Sequence, residues 1–239
     1  MEIEKLKEIL KDFDTNVKFE YDLKKKNWFN IGGKSKIFFQ ANTLNELISF
    51  LKKLDNKERI FILGAGSNTL ISDNLFDGVV IKLSKNFNNI SLLGEDVVIA
   101  GSGVLDKKLS DFAFDNNLSG FEFLSCIPGT VGGGIRMNAG CFNSEFKDIL
   151  LSIQAIDKKG NITTIKKEDI NFKYRETNLS DNLIFLSASF KGKKDNQKKI
   201  GEKMETLKLE KERNQPTKIK TSGSTFKNPL SQTKKKVWE

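Results

Sequence analysis

The chain has 239 residues and carries 40 basic against 31 acidic side chains, a formal net charge of +9. Hydrophobic residues make up 38% and charged residues 30%, which is typical of a soluble globular protein with one large or two small domains. The sequence contains no histidine. This excludes a Ser-His-Asp triad and histidine-based zinc sites, and we expect no metal centre.

The absence of membrane and export signals and the small number of cysteines indicate where the protein works. No apolar run approaches the roughly 18 residues that a membrane-spanning helix needs. The N-terminal residues M-E-I-E-K-L-K lack the apolar segment of a signal peptide. We therefore expect a cytoplasmic protein with no membrane partner. In that compartment Cys126 and Cys141 suit small buried apolar positions better than a disulfide framework.

The basic balance raises the hypothesis of a nucleic-acid-binding protein. However, the lysines are spread along the whole chain, and arginine, which makes most bidentate contacts to bases, is scarce. The arginines are Arg59, Arg136, Arg175 and Arg213. We interpret most of the charge as solvated surface with some attraction for an anionic small substrate, and we expect no nucleic-acid partner.

The first third of the chain predicts alternating strands and helices. The predicted helices span residues 2–13 and 43–54, and Thr43 with Glu46 gives the second one the spacing of a capping box. The predicted strands are residues 28–31, 36–40, 60–63 and 79–83. Residues 28–31 would enter a turn at Gly32-Gly33.

The rest of the chain continues the mixed pattern. The predicted strands are residues 96–100, 150–157, 161–165 and 183–190, the middle two forming a hairpin. The predicted helices are residues 105–116 and 191–213. We therefore predict an α+β protein with a domain over 19–195, made of subdomains at about 19–83 and 84–195. Residues 196–239 would hold a connector helix and the start of a further domain.

Residues 127–142, which we call the second glycine segment, read I-P-G-T-V-G-G-G-I-R-M-N-A-G-C-F. Glycine loses more freedom on folding than any other residue, so such a cluster usually provides positive φ angles or close approach of backbone to a ligand. The segment predicts a shaped loop with bare amides that follows a phosphate or a flat ring. Tight turns without a ligand would explain it equally well.

Residues 64–68, which we call the first glycine loop, read G-A-G-S-N and follow the apolar strand at 60–63. A strand that feeds a glycine turn is a recurrent way to hold a pyrophosphate. The loop lacks the third glycine and the later acidic residue of a Rossmann fingerprint, and the Gly-Lys-Ser/Thr of a P-loop. Together with the second glycine segment it favours a cofactor site.

Several segments, in order along nearly the whole chain, carry a resemblance to one family. They are F-N-I-G-G (29–33), I-L-G-A-G-S-N-T-L (62–70), I-P-G-T-V-G-G-G…M-N-A-G (127–140), Y-R-E-T (174–177) and G-S-T-F-K-N-P (223–229). The chain resembles the UDP-N-acetylenolpyruvoylglucosamine reductases, also called UDP-N-acetylmuramate dehydrogenases. The resemblance implies a flavoenzyme of peptidoglycan precursor synthesis, with a two-subdomain FAD-binding module of the vanillyl-alcohol-oxidase (PCMH) type, followed by a substrate-binding α+β domain.

The resemblance also implies ligands and roles. FAD would be held non-covalently, since no histidine is available for attachment, with NADPH as co-substrate and a UDP-sugar as substrate. Arg175 would stabilise charge on the substrate carboxylate, and Ser224 would donate a proton. Tyr174, Lys227 and Asn228 would bind substrate. The implied cofactor-binding residues are Gly64, Ala65, Gly66, Ser67, Asn68, Pro128, Gly129, Thr130, Gly132, Gly133, Asn138, Ala139 and Gly140.

Two features depart from the family pattern. The family's third domain continues well past G-S-T-F-K-N-P and carries a catalytic glutamate near its end, whereas this sequence stops at Glu239. We therefore expect an incomplete substrate domain. The residues C-F-N after N-A-G replace small or aromatic residues and a glycine. We expect a monomer.

Two other hypotheses stay open. Another FAD-linked oxidase or dehydrogenase of the same fold would share both glycine stretches, but it would have no reason to carry Y-R-E-T and G-S-T-F-K-N-P together. A basic nucleic-acid-binding protein would interleave aromatic and basic residues on one surface. The phenylalanines here fall mostly in apolar strands and helix faces, which places that hypothesis far behind.

Overall fold

The computed structural model describes residues 3–54 and 58–214. The strands are β1 Val17–Asp22, β2 Lys34–Ala41, β3 Ile60–Ile62, β4 Phe76–Leu83, β5 Ile90–Leu93, β6 Val97–Gly101, β7 Leu118–Ser119, β8 Gly140–Cys141, β9 Ser144–Glu145, β10 Leu150–Ile156, β11 Ile162–Lys166, β12 Phe172–Lys173, β13 Glu176–Thr177, β14 Ile184–Lys191 and β15 Lys193–Lys194. The helices are α1 Ile3–Ile9, α2 Leu44–Lys53, α3 Asp106–Asp115, α4 Val131–Arg136, α5 Phe146–Ile149 and α6 Gln197–Asn214. Short 3-10 helices span Lys11–Phe13, Lys24–Lys26, Lys85–Phe87, Glu122–Cys126 and Lys167–Asp169.

The first sheet has the strand order β1-β2-β4-β3, with β1 antiparallel to β2 and the other neighbours parallel. Helix α2 forms the crossover between β2 and β3. Its start is fixed by the predicted capping box: the Glu46 amide donates to Thr43 Oγ1 at 3.2 Å, and the Thr43 amide donates to Glu46 Oε2 at 3.3 Å. The predicted helix is therefore confirmed, and β3 delivers the chain directly into the first glycine loop.

The second sheet is antiparallel throughout, with the order β11-β10-β14-β6-β5. Asp157 closes the β10–β11 hairpin, because its Oδ1 accepts the amides of Lys159 at 2.8 Å and Asn161 at 2.9 Å. This confirms the predicted hairpin. Strand β6 ends at Gly101, where the chain turns into α3, and the second glycine segment lies against that turn.

Strands β10 and β14 contribute residues to the hydrophobic cores of both sheets. The first cluster packs α1 and α2 on one face of the first sheet, and it includes Ile156, Ile184 and Leu186 from β10 and β14. The second cluster packs α3, α4 and α5 on the second sheet. The mixed helix and sheet content confirms the predicted α+β class. The boundaries at 19–83 and 84–195 remain predictions.

Helix α6 confirms the helix predicted over 191–213, although it starts later. It is anchored by the buried Ile200 and by two lysines. Lys203 Nζ lies 3.3 Å from Glu122 Oε1, and Lys211 Nζ donates to the Cys126 carbonyl at 2.7 Å. Both lysines thus fasten α6 to the 3-10 helix that precedes the second glycine segment. Its predicted role as a connector remains a prediction.

Two sequence expectations are wrong. Residues 28–31 form no strand. The buried side chain of Asn27 donates from Nδ2 to the carbonyls of Leu23 at 3.3 Å and Ile31 at 2.7 Å, so the backbone turns around this side chain. The second glycine segment is not a loop throughout, because Val131–Arg136 is helical. The strand that pairs with β2 on this side of the sheet is β1, at a position where the sequence analysis predicts no element.

Candidate active site

The first glycine loop is shaped by close backbone packing. Gly66 has a φ of +69°, and a Cβ there would lie 2.3 Å from the Lys26 carbonyl oxygen. The Trp28 amide donates to the Gly66 carbonyl at 3.1 Å, which holds the loop against the 27–33 segment. Within the described residues the amides of Ala65, Ser67 and Asn68 donate no hydrogen bond. They are therefore available to an anion.

Lys82, a residue that the sequence analysis does not single out, lies directly behind this loop. It projects from β4, and its Nζ donates to the carbonyl of Gly64. Burial lowers the pKa of the Lys82 ammonium, and the neighbouring Lys26 lowers it further. No carboxylate pairs with Lys82 in the part of the chain that the structure describes. The signal in the sequence is a lone lysine at the end of the apolar run in β4.

The second glycine segment lies across the turn that follows β6. The Val131 amide donates to the Val104 carbonyl at 2.9 Å, and the Gly132 amide donates to the Ser102 carbonyl at 2.8 Å. A Cβ on Gly132 would lie 3.0 Å from Ser102 Cβ, so only glycine allows this approach without displacement. Gly133 is exposed and Pro128 is exposed, which leaves the outer rim of the segment open.

The two glycine stretches meet at one point. A Cβ on Gly64 would lie 2.6 Å from Thr130 Oγ1, so the Thr130 side chain of the second segment packs directly on the backbone of the first loop. Gly129 is equally close to α3, since its Cβ would lie 2.6 Å from Asp106 Oδ2. The structure thus brings together residues from two distant parts of the sequence that the sequence analysis predicts to bind a cofactor.

A group of buried polar side chains lies beside Gly129 and Gly132. Asp106 is fully buried, and neither carboxylate oxygen has a hydrogen-bond partner within the described residues. The hydroxyls of Ser102 and Ser110 are unpartnered there as well. Burial raises the pKa of the Asp106 carboxyl well above its usual value, because charge is disfavoured away from water. Burial therefore favours the neutral form of this carboxyl at this edge of the site.

Asn138, predicted to contact the cofactor, has its side chain fully engaged within the protein. Its Nδ2 donates to Glu145 Oε2 and to the Lys173 carbonyl, both at 3.0 Å, and its Oδ1 accepts the Lys147 amide at 3.1 Å. The residue is completely buried with a φ of +40°. It ties the N-A-G residues to β12, and its backbone is engaged as well, because its amide donates to the Ile135 carbonyl at 3.0 Å.

Arg175 occupies the tip of the β12–β13 hairpin with a φ of +58°. Its guanidinium donates to the carbonyls of Gly140 at 2.6 Å and Asn138 at 3.4 Å. Glu145 lies 3.9 Å from its Nη1, and the Tyr174 ring centroid lies 4.9 Å from its Cζ. Two of the five guanidinium N–H groups are used, so the remaining ones can bind a carboxylate. The predicted catalytic arginine is thus placed on the predicted cofactor segment.

Three predicted residues, Ser224, Lys227 and Asn228, lie outside the described residues. Within those residues no cluster of metal-ligating side chains occurs, and no helix is both long and apolar enough to span a bilayer. Besides Lys82, the sequence analysis misses Glu145, whose capping box with Asp148 places its carboxylate between Asn138 and Arg175.

Comparison with known proteins first defines the class. Residues 35–166 match the FAD binding domain family, more than half of the chain. The fold is that of the vanillyl-alcohol-oxidase (PCMH) type: p-cresol methylhydroxylase aligns with a TM-score of 0.55 over 81% of this chain and 43% of that one, at 18% identity. The chain therefore has this fold and contains a domain of the FAD binding domain family.

Relatives that align over most or all of the chain identify its family more narrowly. A UDP-N-acetylenolpyruvoylglucosamine reductase from Pelagibacter ubique is 62% identical over 239 residues, all of this chain and 79% of that protein. The Rickettsia canadensis reductase is 46% identical over 212 residues, 89% of this chain and 71% of the relative. The crystal structure of the Thermus caldophilus reductase aligns with a TM-score of 0.78 at 29% identity, over 89% of this chain and 76% of that one. The chain belongs to the UDP-N-acetylenolpyruvoylglucosamine reductase family of FAD-dependent oxidoreductases.

Proposed function

We propose that this protein reduces the enolpyruvyl ether of UDP-N-acetylenolpyruvoylglucosamine to UDP-N-acetylmuramate, with NADPH as the reductant, in peptidoglycan precursor synthesis. FAD, when bound, supplies the hydride chemistry that links NADPH to the alkene. The chain's own residues then bind the cofactor, hold the substrate carboxylate and provide a proton. We expect this reaction in the cytoplasm, catalysed by a monomer.

The cofactor cradle is proposed at the meeting point of the two glycine stretches. The amides of Ala65, Ser67 and Asn68 would donate to the pyrophosphate, with Lys82 adding positive charge from behind. The remaining contacts are proposed to come from the other predicted cofactor residues of the two glycine stretches. These are Gly64, Gly66, Pro128, Gly129, Thr130, Gly132, Gly133, Asn138, Ala139 and Gly140. The close contact between Gly64 and Thr130 supports a single site.

The position of Arg175 is the observation that carries the proposed chemistry. Its guanidinium is fixed by two backbone carbonyls of the N-A-G residues, so it stands at the edge of the proposed cofactor site. Hydride addition to the alkene leaves negative charge that spreads into the substrate carboxylate. A preorganised guanidinium stabilises this charge without reorganising during the reaction. Glu145 on the other side limits its rotation.

The proton donor is proposed to be Ser224, by resemblance of G-S-T-F-K-N-P to the family motif. A hydroxyl is a weak acid, but it can protonate a strongly basic enolate carbon that lies within reach. Lys227, Asn228 and Tyr174 are proposed to bind the substrate. The contact of the Tyr174 ring with Arg175 supports a shared pocket for the last of these.

Arg175→Lys tests the proposal. We expect the variant to bind FAD and to be reduced by NADPH at the normal rate, while its reoxidation by substrate slows by about 10²–10³-fold, because lysine cannot keep both carbonyl contacts and a bidentate carboxylate. Stopped-flow absorbance of each half-reaction measures the two rates. Arg59→Lys, an exposed change beside Phe76, is the matched control. Equal reoxidation rates in all three proteins would refute the role.

A further inference from the structure

The two cysteines of the chain bracket the second glycine segment. Cys126 is the last residue of the 3-10 helix Glu122–Cys126, and Cys141 lies in β8. Both thiols are free, and the sequence contains no others. The proposed cofactor and catalytic chemistry uses neither sulfur.

The fold brings these thiols together. Strand β8 packs on the 3-10 helix, and Cys141 Sγ donates to the Phe123 carbonyl at 3.2 Å. Residues i and i+3 of a 3-10 helix lie on the same face, so Phe123 places Cys141 on the face that carries Cys126. The two thiols are close enough for each to shift the pKa of the other. Cys126 is 7% exposed and Cys141 is half-buried, so the pair lies just below the surface.

The environment makes one thiol the stronger nucleophile. The neighbouring Cys141 thiol lowers the pKa of Cys126 and outweighs the opposing effect of burial, and the Ser125 hydroxyl and the Lys211 ammonium lower it further. The neighbouring Cys126 raises the pKa of Cys141, since only one of the two sulfurs can carry the negative charge. Cys126 is therefore the reactive thiolate and Cys141 the thiol beside it.

We propose that Cys126 and Cys141 are a redox-active pair that a peroxide converts to an intramolecular disulfide, closing residues 126–141 into a covalent loop. The Cys126 thiolate attacks the peroxide O–O bond and takes one oxygen, and hydroxide leaves. The resulting sulfenic acid is attacked by the Cys141 sulfur, and its oxygen departs as water with the Cys141 proton. The two thiols lose two electrons and hydrogen peroxide becomes two molecules of water.

The disulfide would fasten the carbonyl of Gly140, to which Arg175 is bound, to the end of the 3-10 helix that α6 holds through Lys211. A cross-link over 15 residues restricts the unfolded chain, so oxidation should raise Tm by about 5–10 °C. This inference does not depend on the proposed reaction, because both readouts are made on the protein without substrate.

The test treats the fully reduced full-length chain with a small excess of hydrogen peroxide. We expect the denatured product to lose both titratable thiols, to have the intact mass of the monomer less two hydrogens, and to recover both thiols with dithiothreitol. Because no other cysteine exists in the sequence, an intramolecular disulfide can only be this pair. Cys141→Ser should instead give a Cys126 sulfenic acid that dimedone traps, with no gain in Tm.

Three outcomes would overturn the proposal. Retention of both thiols after peroxide would show that the pair is not reactive. Masses raised by added oxygen without loss of hydrogen would show oxidation of separate sulfurs. A disulfide-linked dimer on non-reducing electrophoresis would show that the thiols do not reach each other within one chain.

Discussion

Lys82 is the single residue whose removal should most directly test the cofactor cradle. Its ammonium holds the Gly64 carbonyl and has no acidic partner among the residues that the structure describes. An anionic pyrophosphate bound nearby would provide the negative charge that pairs with the Lys82 ammonium. We expect Lys82→Met to weaken FAD binding by about 10–100-fold, the range of a charge-assisted hydrogen bond. Quenching of FAD fluorescence on binding measures the affinity.

The control for this variant is Lys85→Met, which removes an exposed lysine three residues along. Its FAD affinity should equal that of the unaltered chain. A further sign of a charge effect is that the loss at Lys82 should shrink as ionic strength rises, since salt screens the attraction. Unchanged affinity in Lys82→Met would place the pyrophosphate elsewhere.

Asp106 gives a pH-dependent prediction at the same scale. Because burial raises its pKa, the folded state holds the proton more tightly than the unfolded state does. Its effect on stability is therefore most favourable below the unfolded pKa of about 4, and stability is lost as pH rises above that value. Asp106→Asn removes this penalty, and we expect its Tm gain to be about 5 °C at pH 8 and much smaller at pH 4.

Thermal unfolding by circular dichroism across pH 4–8 follows this difference. Asp115→Asn, an exposed change on the same helix α3, should give a flat difference. A Tm gain for Asp106→Asn that does not vary with pH, or a loss at every pH, would mean that the carboxylate has a partner when charged.

At the scale of elements, α4 shows why its glycines are not equivalent. A Cβ on Gly134 would lie 2.1 Å from Phe146 Cε2 in the core, whereas a Cβ on Gly133 would lie 3.5 Å from Thr130 Oγ1, an ordinary contact. We expect Gly134→Ala to cost about 1–3 kcal/mol through overpacking. Gly133→Ala should stabilise the apoprotein by up to about 1 kcal/mol, because alanine favours a helix.

Gly133→Ala and Gly134→Ala serve as controls for each other, because they make the same change at adjacent positions. Urea unfolding measures the free energy of unfolding of both variants. If bare backbone at Gly133 serves the cofactor, this variant should be more stable without FAD and yet bind FAD more weakly. Equal stabilities of the two variants would contradict the packing described for α4 against Phe146.

Local signals in the sequence predict some elements better than others. The capping box at Thr43 and the turn at Asp157 act over a few residues, so their helix and hairpin are predictable. Residues 28–31 have strand-like composition, but the buried amide of Asn27 decides their path through contacts that no periodicity reveals. Helix α4 is hidden because glycine is a poor helix former, and packing against Phe146 overrides that preference.

Some features of the candidate site are likewise predictable from the sequence and others are not. Motifs predict which residues gather, and Gly64 does meet Thr130 while Arg175 meets Gly140. The motifs do not predict that the side chain of Asn138 makes all its hydrogen bonds within the protein, or that Lys82 lies behind the first glycine loop. Both facts depend on the relative placement of strands distant in sequence.

For the whole molecule, the shared core explains how two sheets position one site. Residues of β10 and β14 belong to the same hydrophobic cluster as α2 and the first sheet, so the first glycine loop and the second glycine segment cannot move apart without exposing apolar surface. Helix α6 is fastened to the same region through Lys203 and Lys211. The proposed cofactor surface is therefore part of the packed fold and does not depend on one mobile loop.

The most direct test of the proposed reductase is a visible absorbance spectrum recorded without oxygen, first on the purified chain with FAD, then after NADPH, then after UDP-N-acetylenolpyruvoylglucosamine. The proposal predicts a protein-bound flavin spectrum that bleaches with NADPH and returns as UDP-N-acetylmuramate forms. A chain that stays colourless and fails to bind added FAD would contradict the cofactor site, and a bleached flavin that this substrate does not reoxidise would contradict the proposed reaction.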